Sequence, residues 1–308
     1  MNDLTIIMYH YVRPIRQSDF PNIRGLELDA FVRQLDFLQD NYHIVSSEEV
    51  LKSVVRGANL PKNACWLTFD DGYKDHYNHV LPELVARNLS GAFFPPRAAI
   101  QDSAILDVNA IHYILAKTNE IQELVDDLNI LCLEYGINQQ EIDQLYMKTA
   151  IEGRFDDKDT IFVKRMLQHA LPEGVRSDLT RRLFAKYVGK SVESFAKTLY
   201  MSEEEVKKLI QCGMYVGSHG SMHYWLDSLT PKMQMYEIVS SLEFLEEMGA
   251  PTSDWIMCYP YGAYNDETLA VIKKYGAAIG VTTEARKAEI PRDNPLTLPR
   301  LDTNDFPQ

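Results

Sequence analysis

The chain has 308 residues, 45% of them hydrophobic, so it can bury the core of one large domain or two ordinary ones. Its formal net charge of −13 excludes nucleic acid as the expected partner, because no basic excess is available to displace phosphate counterions. No apolar run approaches the roughly 18 residues that a membrane helix needs, so no membrane span is predicted.

The first residues, MNDLTIIMYHYV, differ from a secretory signal: they carry an acidic residue where a basic one is typical, and no small-residue cleavage site follows. The cysteines lie far apart in apolar surroundings, which is typical of buried thiols rather than of a disulfide framework. We therefore expect a cytoplasmic protein.

Short apolar runs predict strands buried on both faces at residues 4–9, 64–69, 91–95, 213–218, 255–260 and 276–282. Amphipathic helices are predicted between several of them, in LDAFVRQLDFLQDN, SSEEVLKSVVRG, VLPELVARNL, TPKMQMYEIVSSLEFLEEMG and NDETLAVIKKYG. The last of these has Asn265 as its expected N-cap and Gly276 just past its end. This alternation predicts an α/β fold with parallel strands, either a barrel or a doubly wound sheet.

Residues 105–211 show helical periodicity and no convincing strand. We interpret them as a helical insertion within a single domain that spans residues 1–308. Insertions at the carboxyl ends of barrel strands usually shape the substrate site, but a cap on the frame or a dimer interface is an alternative. The oligomeric state is therefore left open.

The stretch LTFDDG places Asp70 and Asp71 at the carboxyl end of a predicted strand, and Gly72 permits a tight turn. Successive strand residues point to opposite sides, so the two carboxylates can do different jobs. A plain turn after a strand is the alternative interpretation. His76 and His79, which follow, are expected to be exposed or to cap a helix.

A second strand-like run, in YVGSHGSMHYWL, ends in His219, and His223 lies four residues later. A helical turn would bring two such imidazoles to one face, where they could share a metal ion with a carboxylate. Two unrelated surface histidines are the alternative. Tyr224 and Trp225 could stack on a sugar ring or pack against the frame.

The third motif is the Pro-Tyr-Gly in WIMCYPYGAYN, at the end of another predicted strand. The backbone N–H of the residue after the proline can point at a developing oxyanion. Without the other two motifs, this stretch would indicate only a turn.

The ordered motifs TFDDG (68–72), SHGSMH (218–223) and YPYG (259–262), each after an apolar strand, closely resemble those of the NodB-homology polysaccharide deacetylases, carbohydrate esterase family 4. The resemblance covers residues 1 to about 100 and 212–308. It implies a distorted (β/α) barrel of about seven parallel strands. It also implies metal-dependent hydrolysis of N-acetyl groups on amino sugars.

Carried over by position, the resemblance implies that Asp70 is the general base and that Asp71, His219 and His223 bind a divalent metal, for which we expect Zn²⁺. It also implies that the backbone N–H of Tyr261 stabilises the oxyanion. These roles fit together, because a metal polarises the amide carbonyl and lowers the pKa of water, which a carboxylate can then deprotonate.

The chain departs from the family pattern at three points. Cys258 stands where the family often has an arginine two residues before the proline, and Arg300 in LPRLD is our candidate to replace it in holding the base. No histidine follows His223, so the late Leu-x-His motif is absent, and His10 becomes the candidate general acid. The position of His10 resembles the branch of the family with an N-terminal Tyr-His. Gly220 replaces a Ser or Thr, which affects only a supporting hydrogen bond.

We therefore predict a metal-dependent sugar N-deacetylase that acts on an amino-sugar glycan or on its nucleotide- or lipid-linked precursor. Deformylation or cleavage of another C–N bond is the first alternative, since the same metal and base would serve. A non-catalytic carbohydrate-binding relative is the second. The absence of the family arginine and late histidine favours that second alternative, whereas the intact base and metal ligands oppose it.

Overall fold

The computed structural model describes residues 2–153 and 156–307. They form two compact units. Within the described residues, the first unit holds 2–14, 25–104 and 197–307, and the second holds 15–24, 105–153 and 156–196.

The strands of the described residues all lie in the first unit. They are β1 (Asn2–Tyr9), β2 (Val12–Arg13), β3 (Leu26–Glu27), β4 (His43–Ile44), β5 (Ala64–Asp70), β6 (Ala92–Phe94), β7 (Tyr215–Val216), β8 (Trp255–Cys258), β9 (Ala277–Val281), β10 (Ala288–Ile290) and β11 (Leu301–Asp302). The predicted strand runs correspond to β1, β5, β6, β7, β8 and β9. The sequence did not predict the short strands β2, β3, β4, β10 and β11.

The parallel strands follow one another around a distorted barrel. β1 pairs with β5, β5 with β6, and β6 with β7, all in parallel. Ser218, just past β7, bridges Met257 of β8, and β8 pairs with β9. Leu298 bridges Val281 of β9, and β11 returns to pair with β1. β10 pairs with the start of β1 in the antiparallel sense, on the edge opposite β5. The predicted α/β barrel is therefore confirmed.

The helices are α1 (Leu28–Asn41), α2 (Ser47–Arg56), α3 (Leu81–Ala86), α4 (Arg97–Gln101), α5 (Asp107–Lys117), α6 (Ile121–Glu134), α7 (Gln139–Thr149), α8 (Lys158–Arg165), α9 (Glu173–Val188), α10 (Val192–Leu199), α11 (Glu203–Gln211), α12 (Pro231–Met248) and α13 (Asp266–Lys274). Local sequence fixes their ends. Ser46 and Glu49 form a capping box at the start of α2, and Gly57 ends it with a left-handed φ of 68°. Asn265 caps α13, as predicted.

Apolar side chains fill the barrel of the first unit. All seven residues of β5 are buried, and Trp66 shares a cluster with Ile6, Phe94, Ile256 and Val281 from four other strands. Because the strands are covered by apolar side chains on both faces, polar side chains can come together only at the ends of the strands. The site described below lies at the carboxyl ends of the strands.

The second unit contains α5 to α9 and the first part of α10, and no strand is found among its described residues. Phe20, from the segment 15–24, packs edge-on against Tyr113 and Phe195, with ring centroids 4.7 and 5.6 Å away. The helical character predicted for this part of the chain is present. By contrast, α11 lies in the first unit, where Glu205 pairs with Lys74 at 3.6 Å.

No helix within residues 2–153 and 156–307 combines the length and the apolar character that crossing a membrane would require.

Candidate active site

Three buried polar side chains converge at the carboxyl ends of β5 and β7. The Nε2 atoms of His219 and His223 lie 3.4 and 3.3 Å from Oδ1 of Asp71. One donor atom from each of the three residues falls within 4.8 Å of the others. All three side chains are at most 5% exposed. The structure therefore brings together the three residues that the sequence predicted as metal ligands.

The backbone near these residues uses left-handed conformations instead of the helical turn predicted between the histidines. His223 has φ of 59° and Gly220 has φ of 70°, so a loop brings the imidazoles together and the prediction of a helical turn is wrong. Asp71 and Gly72 also have positive φ, 71° and 69°. A Cβ at Gly72 would lie 2.7 Å from Pro95 Cβ, so only glycine fits this exit from β5.

The chemistry of these donors fits a divalent metal such as zinc. Nδ1 of His219 donates to the backbone carbonyl of Cys258 at 2.7 Å, which leaves Nε2 with a free lone pair directed toward Asp71. Two imidazoles and one carboxylate are a usual protein ligand set of a catalytic zinc, whose remaining position is taken by water or substrate. The residues present therefore fit the metal that the sequence resemblance implies.

Asp70 is held by Arg300. Nη1 of Arg300 donates to Oδ1 of Asp70 at 2.9 Å, and Nη2 donates to Oδ2 at 2.7 Å. Burial by itself would raise the pKa of Asp70, but the charge and hydrogen bonds of Arg300, with smaller contributions from His219 and His10, lower that pKa to about 2. Asp70 is therefore an ionised carboxylate that can accept a proton.

His10 lies beside the same carboxylate, just past the end of β1. Its Nε2 atom is 4.0 Å from Oδ2 of Asp70, and its side chain is 40% exposed, in contrast to the buried Asp70. The carbonyl of His10 accepts a hydrogen bond from Nε2 of His76 at 2.9 Å. The predicted general acid is thus close to the predicted base and open to solvent on one side.

Tyr261 occupies the turn after β8 with φ of 59° and ψ of 7°. Its ring lies between His223 and Trp225, with centroids 4.7 and 4.6 Å away, and it is stacked on Trp225 at 16°. The strained turn therefore lies against His223, and the backbone N–H of Tyr261 remains the predicted oxyanion donor.

Comparison with known proteins agrees with this geometry. The family model described as polysaccharide deacetylase matches residues 155–280, which include His219, His223 and Tyr261. A putative polysaccharide deacetylase from Bacillus subtilis is 36% identical over 97 residues, 32% of this chain and 33% of the relative. Residues 155–280 therefore match a polysaccharide deacetylase domain.

A poly-β-1,6-N-acetyl-D-glucosamine N-deacetylase of Staphylococcus aureus is 26% identical to this chain over 170 residues, 52% of this chain and 56% of that protein. The matches to these two curated relatives therefore span only a third and about half of the relatives' own lengths.

Solved structures share the fold over nearly the whole chain. The Streptococcus pyogenes deacetylase PplD, in complex with acetate, superposes with a TM-score of 0.60 at 19% identity, over 97% of this chain and 92% of that one. IcaB from Ammonifex degensii gives a TM-score of 0.55 at 17% identity, over 98% and 92% of the two chains. These likenesses show that the deacetylase fold extends through the helical region.

A buried glutamate that sequence reasoning missed supports the loop between His219 and His223. Oε2 of Glu237, on α12, accepts the backbone N–H groups of Ser221 and Met222 at 2.9 and 2.8 Å. Gly220 has a left-handed φ of 70°, which favours glycine, and a Cβ there would lie 3.2 Å from the same oxygen. Nothing in the local sequence of α12 distinguishes Glu237 from its exposed neighbours.

Two further residues near the site were also not anticipated. Tyr73 donates its hydroxyl to Oδ2 of Asp71 at 2.5 Å. His76, which we expected to be exposed or to cap a helix, is instead fully buried, and burial lowers its pKa to about 4. It lies in a π-helical turn, His76–Val80, whose geometry no sequence period signals.

Proposed function

We propose that this protein is a metal-dependent N-deacetylase that hydrolyses N-acetyl groups on the amino sugars of a glycan or glycan precursor. The proposal rests mainly on one observation: the two adjacent aspartates have different neighbours. Asp70 is held by a guanidinium, and Asp71 faces two imidazoles. A base beside a metal-binding triad is the arrangement that hydrolysis of an amide needs.

Asp71, His219 and His223 would hold the metal, and we expect Zn²⁺ from this set of ligands. When bound, such an ion supplies a Lewis acid at the amide carbonyl. His219 is oriented for this task by its hydrogen bond to the carbonyl of Cys258, which fixes the ring tautomer.

The protein's own groups would then move the protons. Asp70 takes a proton from the attacking water as the water oxygen bonds to the carbonyl carbon, and Arg300 keeps that carboxylate oriented. The backbone N–H of Tyr261 would stabilise the negative oxygen of the tetrahedral intermediate. His10 would donate a proton to the amine nitrogen as the C–N bond breaks, which releases acetate and the free amino sugar.

The substrate class is suggested by the staphylococcal relative, whose name specifies poly-β-1,6-N-acetyl-D-glucosamine. We extend this to the present chain as a proposal, with β-linked N-acetylglucosamine oligomers as the first substrates to test. A cytoplasmic location and a nucleotide- or lipid-linked precursor remain predictions from the sequence.

The test measures acetate released by zinc-loaded protein from free, nucleotide-linked and polymeric N-acetyl sugars. Asp70→Asn keeps the shape of the side chain but removes the base, so acetate release should fall by at least about 100-fold. Asp36→Asn, at an exposed carboxylate, is the matched control and should retain wild-type turnover. No acetate release by zinc-loaded wild type from any substrate contradicts the proposal, and formate release from N-formyl sugars would support the deformylase alternative.

A further inference from the structure

The two oxygens of Asp71 have different neighbours. Oδ1 faces Nε2 of His219 and of His223 at 3.4 and 3.3 Å. Oδ2 accepts the hydroxyl of Tyr73 at 2.5 Å, a length typical of a strong hydrogen bond to a carboxylate. The carboxylate is thus shared between the histidine pair on one side and a phenol on the other.

Tyr73 is held rigidly in this position. Its side chain is fully buried, and its ring stacks on that of Tyr11 with centroids 4.1 Å apart. Tyr11 in turn lies under the guanidinium of Arg13, which forms a 2.6 Å ion pair with Asp75. On the other side, Tyr200 forms an antiparallel bridge with Tyr73. The phenol therefore has little freedom to leave Asp71.

We propose that Tyr73 is a positioning residue for the metal ion, which makes Asp71 bind it through Oδ1 alone. This inference rests on the metal site of the proposed function. A carboxylate without such a partner can rotate and present either oxygen or both, so fixing Oδ2 selects one mode of binding and lowers the entropy lost when the metal binds. Partners of this kind typically change metal affinity by about 10- to 100-fold.

The experiment compares zinc binding to chelator-stripped wild type, Tyr73→Phe and Tyr9→Phe. Tyr73→Phe removes only the hydroxyl and keeps the ring that stacks on Tyr11. Tyr9→Phe is the matched control, because it also deletes a buried hydroxyl, one that donates to Gln34 at 2.7 Å. Competition with a chromophoric chelator gives Kd, and cobalt substitution gives a visible spectrum that reports the ligand geometry.

We expect the Kd of Tyr73→Phe for zinc to rise by about 10-fold or more, while that of Tyr9→Phe stays within about twofold of wild type. The visible spectrum of cobalt-loaded Tyr73→Phe should also differ from that of wild type. Equal zinc affinity and equal cobalt spectra overturn the role of Tyr73 and leave the proposed function standing. Wild type that binds no zinc overturns both.

A measurement on wild type keeps the proposal testable even if Tyr73→Phe does not fold. The infrared carboxylate bands that change when zinc binds should show the wide splitting of a carboxylate bound through one oxygen. The narrow splitting of a carboxylate bound through both oxygens would overturn the proposal.

Discussion

Arg300 and Asp70 form two parallel hydrogen bonds, at 2.9 and 2.7 Å, although 230 positions separate them in the chain. Both side chains are almost completely buried. Nε of Arg300 donates to the carbonyl of Thr282, so the guanidinium is itself fixed in place. A planar fork that meets a carboxylate in this way sets its orientation as well as its charge.

Arg300→Ala should lower both turnover and stability. It leaves the Asp70 carboxylate buried without its partner, and breaking a buried pair from one side typically costs about 3–5 kcal/mol of unfolding free energy. Arg300→Lys should recover part of the stability but little of the turnover, because an ammonium cannot reproduce the two-pronged contact. Urea unfolding and acetate release measure the two effects.

Arg286→Ala is the matched control for this substitution. Arg286 also holds a carboxylate with two nitrogens, that of Asp293, at 2.8 and 2.9 Å, but its side chain is 41% exposed. Its loss should cost about 1 kcal/mol or less and leave turnover intact. Equal effects of the two alanine variants would contradict the importance of the buried pair.

His10→Ala should lower the turnover number strongly while zinc binding stays unchanged. The reason is that Nε2 of His10 lies 4.0 Å from Asp70, the proposed base, whereas His10 is not among the three proposed metal ligands. A general acid typically contributes about 100-fold or more to rate. Steady-state kinetics and a zinc titration on one preparation measure both quantities, with the exposed His43→Ala as control. Unchanged turnover would exclude His10 as the proton donor.

Glu237→Ala should weaken zinc binding and destabilise the fold. The carboxylate of Glu237 accepts hydrogen bonds from the backbone N–H groups of Ser221 and Met222, which lie between the two histidines. The alanine variant leaves both N–H groups without this charged acceptor. An unsatisfied buried group costs about 1–3 kcal/mol, so we expect a fall of that size or more in unfolding free energy. Glu243→Ala, at an exposed position of the same helix, should change neither quantity. A Glu237→Ala protein with wild-type zinc affinity would show that the loop keeps its shape unaided.

His76 should make stability depend on pH. Burial lowers its pKa from 6.5 to about 4, so between these values the unfolded chain binds a proton that the folded protein does not. The contribution of neutral His76 to the free energy of unfolding is fully present above 6.5, the pKa of His76 in the unfolded chain. This contribution is lost as the pH falls toward about 4. Between about pH 7.5 and about pH 5, the free energy of unfolding should therefore fall by about 2 kcal/mol because of His76.

His76→Gln tests this dependence, because the amide can still donate to the carbonyl of His10 but does not titrate. Urea unfolding of metal-free protein at both pH values should show that the variant loses about 2 kcal/mol less than wild type on acidification. The same pH dependence in both proteins would mean that His76 does not cause it.

The sequence predicted the strands and the motif residues because both depend on local patterns. Asp71 and His219 each follow a buried strand, and the carboxyl ends of parallel strands meet at one end of a barrel. Arg300 could be predicted only as a candidate, since β11 is two residues long and shows no periodicity. Its position depends on the closure of the barrel, which involves the whole chain.

The supporting residues could not be predicted for a different reason. Glu237 and Tyr73 act through side-chain contacts on loops whose left-handed turns, at Gly220 and Asp71, follow no sequence period. Their partners are known only once the backbone path is known. The same limit explains why His223 does not lie on the helical turn that a spacing of four residues predicts.

The closure of the barrel also sets the order in which the site is completed during synthesis on the ribosome. The three side chains proposed to bind metal are all translated before residue 224, whereas Arg300 comes from the segment that joins β9 to β1 through β11. A nascent chain that stops before Arg300 would contain every ligand for the metal but would lack the cation that holds Asp70. Completion of the proposed site therefore depends on the segment that closes the barrel, which is synthesised well after the proposed metal ligands.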